Sequence, residues 1–596
     1  MEGSPWEKVS SDKPWVFFFP YDVARRGQVL FADTVYNAIQ RGISVIINAP
    51  SGFGKTVAAL AALLPFVKGG RRVIWAARTH REAERVIEEL KLINAKYSAD
   101  VNAVAVRGRV EMCPLISSGY DNDDAAFYCR ETRAVRGCQY YKRFLEFKAP
   151  ERWCMTGGEV YSYALSFNAC PYFVQRSLVR QSQVVAMSYQ LAFQGIQTYL
   201  KEVEASTAVM VVDEVHNLPE LLRSITSDRL TLRSIEGAAK EAEGKPMLQR
   251  FCHALMEVVK GYGDHEQLVT FDELSLRLKA EGAPRIPLSM VAEVAVFEGN
   301  LVRKALLMEG KRPKSSLHSL GLFLKLITSG RYTLIVGGGV LQALKLEVVR
   351  PEADIIGFSA TADAQLAEEL NLEYIDLSVA PTPSAEVFCL NDVTTAYEER
   401  EPNYKKYVEW LKLMPKRTGI FAASFKVLNG LLNAGVGSAL SPLFVEREGM
   451  TSRENEELLR GFKEVAGYYL GVLGGRTAEG VDFPGLIRIV FIVGVPFEEP
   501  SVRLEALIRY YRELYGDERR AKLTAYVMPA VRKVVQAAGR AFRSPEDRGI
   551  VVLGDKRFVT LKRLLPRWLK SFKQINYEER QKLAVTIEEV LKIKSL

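Results

Sequence analysis

Short runs of β-branched and aliphatic residues recur along the chain, and most are followed by a stretch whose apolar positions fall at helical spacing. SVIIN at 44–48 leads through a Gly-rich turn into an Ala- and Leu-rich helical stretch. Further strand-like runs are RRVIWAA near Val73, TAVMVV near Met210, DIIGFS near Ile356, TGIFAA near Ile420, YYLGVL near Leu470, IRIVFIVG near Ile489 and IVVL near Val551. Helical patterns with charged faces, such as THREAERVIEELKLI, lie between most of them. Alternation of this kind predicts α/β architecture with parallel sheets, and its spacing suits two such units better than one. Two stretches break the rhythm. Residues 107–170 hold cysteines among aromatic and basic residues, and residues 222–336 are dominated by helical pattern until YTLIV near Leu334. Both read as insertions into the first α/β unit.

The chemistry begins at the first strand. APSGFGKT, Ala49 to Thr56, is a P-loop with alanine in place of the first glycine. In such a turn Ser51, Gly52 and Gly54 offer backbone N–H groups to phosphate, Lys55 reaches the β/γ oxygens and the Thr56 hydroxyl ligates magnesium. VMVVDEVH supplies the complement: a buried strand ending in Asp213 and Glu214 delivers two carboxylates where α/β sheets bind ligands. Asp213 is then a magnesium ligand and Glu214 the group that polarises the attacking water. Far along the chain, VVQAAGRAFR places Gln536, Arg540 and Arg543 at i, i+4 and i+7, on one helical face. Arginines brought to a shared cleft would neutralise charge on a transferred phosphoryl group. Solvated arginines are common on any helix, but a second α/β unit without its own P-loop gains a reason to exist by contributing them. ATP hydrolysis is the chemistry that these three parts imply.

Charge sharpens the picture only when it is located. Lys and Arg number 80 against 71 acids, a net charge of +9, yet residues from Ser501 onward carry 22 basic and 11 acidic side chains, so the +11 of that part exceeds the total. A basic face at that end suits a polyanion such as nucleic acid. Five of the seven cysteines, Cys113, Cys129, Cys138, Cys154 and Cys170, fall within one segment. Such crowding in an intracellular chain points to a metal or cluster before disulfides. No uninterrupted apolar run approaches the ~18 residues of a membrane span, and the N-terminal apolar stretch is too short and poorly flanked for a signal peptide. At about 150 residues per domain, the length is a prior for roughly four domains.

In order along nearly the whole chain, YDVARRGQ, APSGFGKT, WAARTHRE, the cysteine segment ending in CPYF, DEVH, GFSATA, GIFAASF, GGRTAEGVDFPG, QAAGRAFR and DKRF resemble the superfamily-two helicases, and specifically the iron-sulfur DNA helicases of the XPD type. The resemblance implies two RecA-like P-loop motor domains, the first made of 1–106, 171–221 and 337–378 and the second of 379–596. It also implies an iron-sulfur domain at 107–170 and a helical arch at 222–336, both inserted in the first motor. It assigns Gln28 to adenine with Tyr21 and Arg25 as neighbours, Glu479, Gly480 and Asp482 to the interface between motors, where Glu479 and Asp482 also bind ATP and the motif senses both nucleotide and DNA, and His216, Ser359 and Thr361 to coupling. Cys113, Cys129, Cys138 and Cys170 become the ligands of a [4Fe-4S] cluster, with Cys154 a packed hydrophobe. The expected activity is ATP-dependent 5′ to 3′ translocation on single-stranded DNA with unwinding of forked duplex, in DNA repair and plausibly nucleotide excision repair. Alternatives are a DinG or FancJ type acting on displaced-strand, forked or quadruplex DNA, and a non-catalytic DNA-binding paralogue. A monomeric, cytoplasmic, nucleoid-associated prokaryotic protein completes the expectation. Tyr161, Tyr163, Tyr172, Phe173 and Tyr189 are candidates for stacking on bases.

Overall fold

A computed structural model of the chain describes residues 6–50, 54–117, 119–193, 208–348, 353–377, 384–475, 487–541 and 548–592. Two parallel sheets organise it. In the first the strands run Glu373–Asp376, Val45–Asn48, Asp354–Ser359, Ala208–Asp213, Arg72–Ala77, Val184–Ser188, Ala103–Val106 and Cys154–Met155, every pair parallel. Their near-continuous apolar sequences follow from burial on both faces. Helices Gln28–Arg41, Lys55–Lys68 and His80–Tyr97 cover one face through Phe31, Val35, Leu60, Leu64, Val86 and Leu90. Helices Gly157–Ser166, Pro171–Gln181 and Leu218–Ile225 cover the other through Val160, Leu178, Leu218 and Leu222.

The second sheet runs Leu443–Val445, Tyr468–Val472, Thr418–Ala422, Ile489–Val493, Arg548–Gly554, Ser384–Leu390 and Lys573–Ile575, again all parallel. Two parallel α/β units are therefore present, as the alternation predicts. DKRF closes the second unit from inside. The Asp555 carboxylate is fully buried and accepts from Thr395 N at 2.8 Å, Thr394 Oγ1 at 3.1 Å and Arg557 Nε and Nη2 at 2.9 and 2.8 Å. Removing one partner of so enclosed a pair strands the other, and Asp555→Ala is expected to destabilise this unit by about 3–5 kcal/mol. Thermal unfolding checks it, as a transition lowered well below that of the unaltered chain.

Two boundaries differ from expectation. Residues 154–170 return to the first sheet: Cys154 and Met155 pair with Ala103 and Val104, and the helix that follows buries Val160 and Ala164 in the same core. The cysteine-bearing insertion is thus shorter than 107–170. At the other insertion the run near Leu334 is not the way back into the motor. Thr333–Gly337 and Val340–Leu344 form a hairpin inside a four-stranded antiparallel sheet with Gln267–Val269 and Asp228–Thr231. That sheet packs with helices Leu232–Glu241, Pro246–Gly261, Leu288–Met308 and Ser316–Ser329 around one core. A return at residue 337 would cut the hairpin at its turn, and the parallel sheet resumes only at Asp354–Ser359.

Candidate ATP site between the two parallel sheets

Register brings the chemistry of the first sheet to one edge. Ser359 lies opposite Asn48 and Phe358 opposite Asp213, so the P-loop strand, the SAT strand and the acid-bearing strand end side by side. Gly54 caps helix Lys55–Lys68 in the left-handed region, φ 77°, and a Cβ there would collide with the Gln28 amide. Glycine is required twice over, by conformation and by space. Gln28 is itself buried, its Nε2 donating to Gly54 O at 3.0 Å and its Oε1 accepting from Arg25 N at 2.8 Å. The expected adenine-reading residue thus sits against the root of the phosphate loop. Lys55 is the first helical residue, and its Nζ donates to Pro50 O at 3.1 Å. Thr56 follows it, half-buried. Tyr21 stands exposed and edge-on to Phe19 at 5.9 Å, its hydroxyl pKa pushed up by burial and by Glu89. Ser51 and Gly52 lie outside the described residues.

Asp213 and Glu214 form the floor. Asp213 Oδ1 accepts from Glu214 N at 2.9 Å, and Glu214 adopts φ 49°, which turns its side chain towards Ser359. Ser359 Oγ donates to Glu214 Oε2 at 3.0 Å, takes the Thr361 N–H at 3.1 Å and stands 2.7 Å from His216 Nδ1. With the Ser359 proton committed to Glu214, the network assigns the His216 proton to Nδ1, leaving Nε2 as acceptor. Burial and the neighbouring negative charge of Glu214 raise the Asp213 pKa. Burial would raise Glu214 too, but His216, Lys55 and Ser359 outweigh it and hold that carboxyl below its usual range. Of the two acids Glu214 is the one that favours its charged form, and its side chain is 38% exposed and reachable by water. Carboxylate and hydroxyl oxygens of the kind carried by Asp213 and Thr56 are ligands that suit a hard divalent ion.

The second sheet supplies the far wall. Gln536, on helix Met528–Ala538, donates its Nε2 to His216 Nε2 across the cleft. Expected as one continuous helical face, Gln536 and Arg540 are instead separated by the helix end at Ala538, after which Gly539–Ala541 tightens into a 3-10 turn carrying Arg540. Arg543, Glu479, Gly480 and Asp482 lie outside the described residues. Two residues not singled out from sequence join the site. Arg532 pairs with Asp363 across the same cleft, Nη2 to Oδ2 at 2.6 Å. Glu82, locked in a capping box with Thr79, has its pKa raised first by burial and also by the Glu214 charge. Capping chemistry explains Glu82 so well in sequence that its place near the acids is invisible there.

The cysteines divide as expected for Cys154 and stay looser elsewhere. Cys154 packs against the first core with its thiol directed at Ile87 O, 3.7 Å away, its pKa pushed up to about 12 by burial. Cys113 ends helix Arg109–Met112, Cys129 lies in helix Asn122–Glu131, and Cys138 and Cys170 precede helices Gln139–Phe144 and Pro171–Gln181. Burial raises both Cys113 and Cys170; Cys113 also feels Cys129 and Cys138, and Cys170 feels Cys113 and Cys129. The Arg109 guanidinium lies 4.1 Å over the Tyr172 ring, on the Cys129 side of the group. Four thiols therefore share one neighbourhood. Among the described residues no group of three or more His, Cys, Asp or Glu is gathered closely enough to hold a metal ion. Of the aromatic candidates, Tyr172 and Tyr189 are core residues, Tyr189 donating its hydroxyl to Asp213 O, and Phe173 packs with Tyr141 and Phe144 at 4.7 and 5.5 Å. Tyr161 and Tyr163 are half-buried.

Comparisons with known proteins agree with this architecture. The DEAD_2 family matches residues 75–235, and a helicase C-terminal domain family matches 407–572. The ATP-dependent DNA helicase XPD of Sulfolobus acidocaldarius is 24% identical over 93% of this chain and 98% of its own length. The XPD subunit of the general transcription and DNA repair factor IIH of Arabidopsis thaliana is 20% identical over 93% of this chain and 91% of its own. A regulator of telomere elongation helicase homologue of Drosophila persimilis is 21% identical over 93% and 71%. A solved XPD helicase superposes with a TM-score of 0.70 at 22% identity, covering 92% of this chain and 98% of that one. With both helicase families matched in order along two parallel-sheet units whose edges face across one cleft, the chain is an XPD-like helicase.

Proposed function

We propose that this helicase is an ATP-driven 5′ to 3′ motor that walks on single-stranded DNA, parts forked duplex and serves DNA repair by nucleotide excision. The observation that carries the reading is the closed circuit Glu214–Ser359–His216–Gln536, which ties the acid facing the substrate to the second motor. Lys55 binds the β/γ-phosphates and Gln28 the adenine, with Tyr21 and Arg25 beside it. Glu214 orients the attacking water, and Arg540 and Arg543 meet charge on the transferred phosphoryl group. Thr56 and Asp213 would hold magnesium, which supplies charge neutralisation at the phosphates. Hydrolysis at Glu214 changes what His216 and Ser359 hold, and Gln536 carries the change to the other motor. Cys113, Cys129, Cys138 and Cys170 would hold a [4Fe-4S] cluster, which supplies a rigid centre to a small unit. DNA bases and repair proteins are the partners, and no helix among the described residues is long and apolar enough to cross a membrane.

Single-stranded DNA is expected to stimulate ATP hydrolysis severalfold, and a duplex with a 5′ overhang to be unwound while its 3′ counterpart is not. No stimulation would sink the motor reading, and preference for the 3′ overhang would sink the polarity. Matches to telomere elongation helicase homologues favour a second reading, a preference for displaced-strand or quadruplex DNA. Unwinding of those substrates at rates well above a simple fork would select it.

A further inference from the structure

Helix Met528–Ala538 of the second motor meets the first at two places one turn apart. Gln536 reaches His216, and Arg532, four residues earlier, sends both Nε and Nη2 to Asp363 Oδ2, at 3.1 and 2.6 Å. The i, i+4 spacing puts both side chains on one face. The two partners of the ion pair are only 14% and 17% exposed. Out of water such a guanidinium–carboxylate pair is weakly screened and directionally demanding. Asp363 divides its oxygens: Oδ1 caps helix Ala364–Glu369 by accepting from Leu366 N at 2.8 Å, and Oδ2 is left for the arginine. Two residues back, Thr361 N donates to the same Ser359 Oγ that donates to Glu214. The segment 359–363 is therefore held at one end by the acid of the ATP site and at the other by the second motor.

A single contact at Gln536 would let the helix roll about its axis, whereas two contacts on one face fix its rotation and its axial register. We infer that Arg532 is a positioning residue: through Asp363 it sets the helix so that Gln536 meets the Glu214–His216 edge in register. Arg532 acts on chemistry without touching the nucleotide. The P-loop and Gln28 both belong to the first motor, so losing Arg532 should fall on kcat far more than on KM. This rests on the motor reading above.

The test uses the full chain with saturating single-stranded DNA. Arg532→Ala is expected to lower kcat about tenfold, as misplacement of a catalytic group does, with KM for ATP changing less than about twofold. Arg532→Lys should recover part of the rate, since an ammonium can pair but cannot fork. Asp363→Asn keeps a capping oxygen and loses the charge, and should resemble Arg532→Ala. If Arg532 works through Gln536, the double variant Arg532→Ala/Gln536→Ala should be no slower than Gln536→Ala alone. Arg520→Ala is the comparison: Arg520 pairs with Glu368 at the exposed rim, 36% and 51% accessible, and should leave kcat within about twofold. Thermal midpoints identify any variant that fails to fold, in which case Arg532→Lys and Asp363→Asn carry the test. Unchanged kcat in Arg532→Ala, a raised KM at constant kcat, multiplying losses in the double variant, or an equal loss in Arg520→Ala would each overturn the inference. Failure of the motor reading looks different: the unaltered chain itself would hydrolyse no ATP with DNA present, and the inference would fall with it.

Discussion

Lys55→Ala is expected to abolish ATP hydrolysis and strand separation together, with kcat falling by about 10²–10³-fold or more, the cost of deleting one preorganised charge at the reacting group. The lysine is the cation that both Asp213 and Glu214 feel. Its removal takes away a ligand for phosphate and leaves two acids at the cleft floor with less compensation, so ATP affinity should fall as well. Glu214→Gln is the informative contrast. It keeps the shape and the hydrogen-bond reach to Ser359 while losing the charge that orients water, so it should bind ATP and hardly turn it over. Steady-state phosphate release together with fluorescent-nucleotide titration separates the two. Hydrolysis by Lys55→Ala above about a tenth of the unaltered rate would place phosphate binding elsewhere.

Much of this site was legible in sequence because the relevant signals are local. A buried strand, a glycine turn and a helix start lie within a dozen residues at 45–56, and the structure sets them edge to edge with Asp213 and Ser359 through register alone. Arg532 was not legible for the opposite reason. Its partner Asp363 is 169 residues away, and on a helix with an ordinary polar face an unpaired arginine and a buried ion pair look alike. The hairpin at 333–344 hid for a physical reason as well. A five-residue apolar run is compatible with a parallel core strand or an antiparallel one, and what distinguishes this one is the turn Gly337–Gly338–Gly339, all three at positive φ. The two-residue strand Cys154–Met155 is too short to carry any period, and its cysteine drew attention to metal chemistry instead.

The basic surplus after Ser501 also changes meaning. Part of it is consumed inside the molecule by acids that precede Ser501: Arg520 pairs with Glu368, Arg532 with Asp363, Lys556 with Glu399 and Lys573 with Glu386. Two of these pairs join the motors, and the acids that receive them are the cap, Asp363, and a member, Glu368, of one short helix of the first motor that begins three residues after Thr361. A positive second motor facing an acidic helix of the first is a device for holding the cleft together as much as a face for DNA. Salt should therefore weaken DNA binding and the exposed Arg520–Glu368 pair while leaving the enclosed Arg532–Asp363 pair largely intact.

Cys170→Ser is expected to remove strand separation while leaving ATP hydrolysis on single-stranded DNA largely intact. Cys170 precedes helix Pro171–Gln181, where serine is a better helix cap than cysteine, so the gain at the helix start offsets part of the cost of placing a hydroxyl at the edge of the core that holds Leu178 and Val179. The inserted unit has no such reserve. Its helices bury few apolar side chains, Met112, Ala125 and Phe127 among them, and Gln139–Phe144 buries none. A unit with so little core needs a cross-link of some kind, and four neighbouring thiols are the material available for a cluster. Without it the segment bearing Arg130, Arg133, Lys142 and Arg143 should lose its shape, and forked-duplex unwinding should fall at least about tenfold. Hydrolysis, built from Lys55, Asp213, Glu214 and Gln536, should stay within about threefold. Iron content and visible absorbance of anaerobically purified protein report the cluster independently of activity. Iron lost with unwinding intact would make the cluster dispensable to strand separation, and stoichiometric zinc in the unaltered chain would replace the cluster by a metal of another kind.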